Sequence, residues 1–274
     1  MNETNLVFDL REVEYSYAGN VAALRSLDFK VNRGESVAIL GANGCGKSTL
    51  LNLLNGLLFP TSGVVEAYGQ RLTEEGLARE NVAQFFRSRV GFVFQNADVQ
   101  LFCPTVWDEI CFGPLQLGWQ SDVIEQRARD VLRLFGIEHL KERAPYSLSS
   151  GEKKKVAIAS VLSMNTEVLL LDEPENGLDP RTQAWLIEFL RELHREGKTL
   201  VTATHDLSMV DEVASRIVVL DESHQLIADG PTDDILKDQE LLLKANLIHE
   251  HIHHHNGITH RHLHSHIFGH RHSH

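Results

Sequence analysis

The sequence predicts an α/β fold. A mostly parallel central sheet is covered by helices, flanked by an antiparallel β subdomain and a helical subdomain, and followed by a histidine-rich flexible tail. Three observations predict it. Short apolar runs such as "SVAIL" (36–40), "RVGFVFQ" (89–95) and "VLLLDEP" (168–174) read as strands buried on both faces. Helical stretches separate such runs, the rhythm of a parallel sheet. The first strands instead alternate apolar and polar residues, as half-exposed antiparallel strands do.

Taken in order, "LVFDLREVEYSY" and "LRSLDFKV" alternate and break at Gly19 and at Asn32 to Gly34. The buried strand 36–40 leads through glycines into "KSTLLNLLNGLL", which has helical spacing. "GVVEAYG" returns to strand, 73–87 is predicted helical, and 89–95 is a second buried strand. From about 106 to 140 the period is helical. In "SDVIEQRARDVLRLFGI" one face carries Val123, Ile124, Ala128, Val131, Leu132 and Phe135, with Ser121 or Asp122 as N-cap and Gly136 as stop. The buried rhythm resumes at 168–174, followed by a helix over 180–196 and by "TLVTATHD" (199–206) and "RIVVLDE" (216–222).

The chain has 274 residues, of which 42% are hydrophobic and 23% charged, so apolar content suffices for a large core. Its formal net charge of −12 repels phosphate backbones, and no nucleic-acid partner is expected. Three cysteines (Cys45, Cys103 and Cys111) without a CxxC argue against a disulfide framework or a thiolate zinc site. The N-terminal "MNETNLVFDL" lacks the charge and apolar run of a signal peptide. No apolar stretch approaches the roughly 20 residues that span a bilayer. Any service to a membrane is therefore expected to go through a partner.

"GANGCGKST" (41–49) fits G-x-x-x-x-G-K-[ST] between a buried strand and a helix. Backbone N–H groups from Asn43 to Ser48, including that of Cys45, would wrap a β-phosphate, with Gly41, Gly44 and Gly46 permitting the tight turn. The start of the helix, with Thr49 in its first turn, adds its positive end. Lys47 would reach the β- and γ-phosphates, and Ser48 would hold Mg²⁺. "VLLLDEP" places two acids at the C-terminal end of a strand, where such sheets bind ligands. Asp172 would support Mg²⁺, and Glu173 would act as general base on an attacking water.

"YSLSSGEKKKVAIA" (146–159) resembles the signature segment of ATP-binding cassette (ABC) ATPases. "YSYAG" (15–19), "FVFQN" (92–96), "EPENGLDP" (173–180) and "VTATHD" (201–206) resemble that family's other motifs, in its order. The resemblance covers about residues 6–230. It implies a P-loop NTPase that hydrolyses ATP with Mg²⁺. It also implies that Tyr17 stacks on adenine, Gln95 approaches Mg²⁺ or the attacking water, and His205 contacts the γ-phosphate and Glu173. Ser149, Ser150, Gly151 and Glu152 would grip the nucleotide held by a second, head-to-tail subunit, an identical or paralogous ATPase, with Asp179 beside the nucleotide. Two departures stand out. The usual LSGGQ reads Leu148-Ser149-Ser150-Gly151-Glu152, which bears on rate and dimer affinity. Glu175 and Asn176 also stand where small or hydroxyl residues are commoner.

Within that family, "FQNADVQLFCPTVWDEICFGPLQLG" (94–118) resembles the corresponding region of energy-coupling-factor importers for vitamins and transition metals. The resemblance implies a cytoplasmic, peripheral subunit that meets integral membrane subunits through residues 96–113. Val99, Leu101, Phe102, Val106, Trp107, Ile110 and Phe112 either line that groove or form subdomain core. Layout follows: an ATPase domain over 1–230 with the helical subdomain at about 96–163, a short helical extension over 231–248, and the tail over 249–274. Twelve of sixteen histidines lie in that tail. Neutral imidazoles ligate Ni²⁺, Co²⁺ and Zn²⁺. His249, His251, His253, His255, His260, His262, His264 and His266, mostly at alternate positions, are the candidate ligands. A purification tag, a tail without a role and a pH-responsive tail compete with metal binding. The expected function is the ATPase of a cobalt/nickel importer of this type. The alternatives are a vitamin importer with an incidental tail, a soluble non-transport ABC ATPase, and a metal store with vestigial ATPase activity.

Overall fold

The computed structural model describes residues 5–255 and 258–265. The first two strands, β1 (Leu6–Tyr17) and β2 (Val21–Asn32), pair antiparallel. Next come the short buried β3 (Ser36–Leu40) and the helix α1 (Lys47–Leu54). After α1, β4 (Ser62–Ala67) joins β1 and β5 (Gln70–Arg71) joins β4, closing a four-stranded antiparallel sheet in the order β2-β1-β4-β5. Helices α2 (Glu74–Leu77) and α3 (Glu80–Arg87) occupy the region expected to be helical.

The chain then re-enters the centre at β6 (Val90–Val93) and leaves it for the helical subdomain. That subdomain comprises α4 (Ala97–Gln100), α5 (Val106–Gln116), α6 (Ser121–Leu134) and α7 (Ser150–Leu162). Thr105 caps α5 by accepting from the Asp108 N–H. Buried Glu109 accepts from the Phe102 and Cys103 N–H groups at 3.0 and 2.8 Å, which folds the preceding loop back onto α5. Helix α6 starts where expected, but Gln120 takes the cap position without a side-chain bond. Neither Ser121 nor Asp122 is the cap. Asp122 instead sits in the first turn, where a negative charge favours the helix dipole. Of the predicted apolar face, Val123 is exposed, while Ile124, Ala128, Val131, Leu132 and Phe135 are buried. The Phe135 ring meets Phe189 at 4.9 Å and Trp185 at 5.6 Å. These contacts fasten the end of α6 to the core helix α8 (Pro180–Arg195).

Strands β7 (Val168–Asp172), β8 (Thr199–Thr204), β9 (Arg216–Leu220) and β10 (Leu226–Pro231) complete a six-stranded sheet in the order β10-β9-β3-β8-β7-β6. All but β10 run parallel. Every residue of β3, β6, β7 and β8 is buried, because α1 and the antiparallel sheet cover one face and the helical side the other. Helix α9 (Leu207–Val213) packs near α10 (Thr232–Lys237) and α11 (Gln239–Lys244) in a smaller apolar cluster against β9. No described helix is long and apolar enough to cross a membrane.

Beyond α11, β11 (Ile248–His255) and β12 (Ile258–Ser265) pair antiparallel. Their backbone register sets His249 against His264, His251 against His262 and His253 against His260, while His255 faces Ile258. His266 lies outside the described residues.

Candidate active site

The phosphate loop links β3 to α1. Gly46 carries a φ of +115°, and a Cβ there would strike the Ala23 carbonyl oxygen of β2. The loop thus needs glycine both for its left-handed turn and for its close packing on the antiparallel sheet. A Cβ at Gly41 would meet Cys45 Sγ and the Leu220 carbonyl oxygen, each at 2.5 Å. Buried Lys47 turns back over the loop, donating to the Gly41 carbonyl at 2.8 Å and the Ala42 carbonyl at 3.2 Å.

One cavity of about 700 Å³ opens above this loop. Asn43, Gly44, Gly46, Lys47, Ser48 and Thr49 form its floor. Tyr17 stands at its rim, nearly half exposed, and shares a 3.0 Å hydrogen bond between its hydroxyl and that of Thr49. Gln95, Glu173 and His205 close the opposite side, from the ends of β6, β7 and β8. The C-terminal ends of parallel strands bring these three distant residues together.

Glu173 is the centre of the constellation. It is buried and held at a φ of +40°, a costly conformation for a non-glycine residue, and its N–H donates to the Ala203 carbonyl at 2.8 Å. Gln95 Nε2 donates to Glu173 Oε2 at 2.7 Å, and Asn176 Nδ2 donates to the same oxygen at 3.3 Å. Lys47 Nζ is 3.8 Å and His205 Nδ1 3.4 Å from Oε1. The His205 Nδ1 makes no hydrogen bond despite that proximity.

Asp172 lies beneath, at the end of β7. Burial pushes its carboxyl above the ordinary value, opposed by the Ser48 hydroxyl and Lys47. Its Oδ1 is buried without a hydrogen-bond partner. An unpartnered carboxylate oxygen next to a serine hydroxyl is a hard, anionic donor set, and it fits Mg²⁺.

Not every predicted residue lines the cavity. Cys45 is buried under the loop, with desolvation pushing its thiol up, so only its backbone can serve a phosphate. Ser149, Ser150, Gly151 and Glu152 lie elsewhere, at the start of α7. Ser149 is the N-cap there and forms a capping box with Glu152, whose Oε2 accepts from both the Ser149 N–H and its hydroxyl at 2.8 Å. These bonds lower the Glu152 carboxyl below its ordinary value and keep it charged. Asp179 caps α8, accepting from the Arg181 and Thr182 N–H groups, and is also outside the cavity. Val21, Ala22, Ala23 and His224 also line it, and no motif in the sequence announces them. His224 sits in the turn after β9, and its Nδ1 lies 3.2 Å from the Cys45 carbonyl oxygen.

This geometry matches known proteins. The family model described as ABC transporter matches residues 24–176. The chain belongs to the ATP-binding subunits of ABC transporters. The nickel import ATP-binding protein NikO of Rhodobacter capsulatus is 48% identical over 88% of this chain and 95% of its own. The energy-coupling factor transporter ATP-binding protein EcfA of Methanothermobacter thermautotrophicus is 44% identical over 88% of this chain and 76% of its own. Among solved structures, cbiO1 of Clostridium perfringens, part of the cbiONQ complex, superposes with a TM-score of 0.75 at 36% identity, covering 89% of this chain and 96% of that one. As an ABC ATPase, the chain couples ATP hydrolysis to transport. ATP and Mg²⁺ are the ligands of its fold.

Proposed function

We propose that this ABC ATPase powers uptake of cobalt or nickel ions, working as one of two ATPase subunits closed around ATP on the cytoplasmic face of membrane subunits. The observation that carries the catalytic part is the gathering of Lys47, Gln95, Glu173 and His205 around one cavity. In this proposal Glu173 takes the proton of the attacking water, and Gln95 orients that water. Lys47 and His205 stabilise charge on the transferred phosphoryl group. Ser48, Asp172 and Gln95 would hold Mg²⁺, which neutralises phosphate charge when bound.

The dimer follows from what the cavity leaves out. Ser149 to Glu152 and Asp179 do not reach the chain's own phosphate loop, so a second subunit is their natural client. A relative at 27% identity and a TM-score of 0.73 was solved as a dimer in a post-hydrolysis state with ADP and Pi.

For the membrane partner, the best-fitting surface is a cleft of about 750 Å³ between α3, β6 and α5, lined by Gln84, Phe92, Phe94, Phe112 and Leu117. Of the apolar set expected from the sequence, Val99 and Phe102 are exposed, with the Phe102 ring 4.9 Å from that of Phe112. Val106 and Ile110 are core, Leu101 and Trp107 pack on that core, and only Phe112 lines the cleft. We further assign the ATPase domain to 1–230, its helical subdomain to about 96–163, the helical extension to 231–248 and the histidine tail to 249–274.

The cargo is inferred from the relative named for nickel import and from the tail, where backbone pairing sets six histidines in three cross-strand pairs. The tail would buffer Ni²⁺, Co²⁺ or Zn²⁺ near the importer. Membranes carrying the full-length complex should take up Ni²⁺ or Co²⁺ in an ATP-dependent way, and a chain ending at residue 248 should bind less metal with unchanged ATPase activity. Uptake of neither ion by the full-length complex would refute the cargo.

A further inference from the structure

Two charged side chains are buried beside the active site without a part in its chemistry. Lys154, in the second turn of α7, has 2% of its surface exposed. Its Nζ donates to the Gln95 carbonyl at 2.8 Å and lies 3.3 Å from the Phe94 carbonyl. Gln100 adds a second tie: its Oε1 accepts from the Phe94 N–H at 3.1 Å, and its Nε2 donates to the Ala157 carbonyl of α7 at 2.8 Å. Positions 154 and 157 share one face of α7, so the segment that carries Gln95 is fastened to one side of that helix.

Glu175 is the second buried charge. One of its oxygens accepts from the Thr204 hydroxyl, while Oε2 is buried without a partner. Glu175 and Asp172 are the acids whose charges act on Lys154, yet burial is the larger effect and lowers the ammonium to about 8. Burying a lysine is unfavourable, and an apolar side chain of similar length would fill the space at lower cost. Its position needs an account beyond packing.

We propose that Lys154 is a positioning residue that couples the two nucleotide sites of the ATPase dimer. The proposal rests on the composite site described above. On one side, the Gln95 amide touches Glu173 of the chain's own site. On the other, Lys154 belongs to the helix whose N-cap, Ser149, serves the partner's nucleotide. Lys154 lies five residues from the N-cap Ser149 on the 13-residue helix α7, so in this proposal a displacement of the Gln95 backbone is passed through the Lys154 ammonium along the helix to Ser149. The result is a coupling between sites, not a contribution to either alone.

The test is ATPase rate against ATP concentration for the full-length chain. The wild-type chain should be cooperative, with a Hill coefficient above 1. K154M paired with E175Q removes both buried charges together. It should fold and dimerise, turn over ATP, and show a Hill coefficient near 1, whereas K154R should restore cooperativity. E175Q alone should remain cooperative. If K154M/E175Q fails to fold, K154Q is measured in its place, and failure of both to fold overturns the proposal by making Lys154 a folding residue. A non-cooperative wild-type chain, unaltered cooperativity in K154M/E175Q, or its loss in E175Q alone also overturns it. E173Q run in parallel separates the two levels. If E173Q stays monomeric with ATP, the composite site itself fails. If it dimerises while K154M/E175Q stays cooperative, only the role of Lys154 fails.

Discussion

Glu173 is fixed from four sides: two amides on one carboxylate oxygen, and an ammonium and an imidazole near the other. Such a carboxylate has a set orientation before substrate arrives, as a general base requires. Glu173→Gln keeps the shape and removes the basicity. It should lower ATP turnover by about 10²–10⁴-fold, the usual worth of a general base, while nucleotide binding persists. Steady-state phosphate release together with ATP binding checks this, and turnover within a few-fold of wild type would remove Glu173 from the chemistry. At this scale much was legible from sequence. Lys47, Ser48, Asp172 and Glu173 sit in short motifs whose spacing is fixed by one turn of backbone. His224 was not legible. It reaches the cavity only because β9 lies beside β3, a pairing between residues far apart in the chain.

Among the elements, α7 has two tasks that a single variant can separate. Ser149 caps it, and losing such a cap costs about 1 kcal/mol. Ser149→Ala should therefore lower the thermal midpoint by only a few degrees. If Ser149 also contacts a partner's phosphate, ATPase activity should fall by more than tenfold, far beyond what that loss of stability explains. Equal, small losses in both would leave α7 with a structural task only. The strands of the central sheet were readable because burial on both faces leaves a continuous apolar run, as in Val168 to Leu171. The apolar positions of α5 were less so. Val106 and Ile110 enter the core while Phe112 lines an open cleft, and helical periodicity records that a residue is apolar without recording what it meets.

For the whole molecule, the phosphate loop lines the cavity and the Ser149–Glu152 segment at the start of α7 does not. The resemblance to ABC ATPases implies this in advance, with Ser149 to Glu152 expected at a second subunit's nucleotide, and the folded chain puts them outside its own cavity. The central claim is that they meet across a dimer. Two inactive variants test it most directly, one with Lys47→Ala in the phosphate loop and one with Ser149→Arg in the signature. Each homodimer has two damaged sites. A mixed dimer contains one site with neither lesion, formed by the loop of the Ser149→Arg chain and the signature of the Lys47→Ala chain. Mixing should therefore recover ATPase activity that neither variant has alone. No recovery from well-folded chains that exchange subunits, or full activity of Ser149→Arg by itself, would contradict the account.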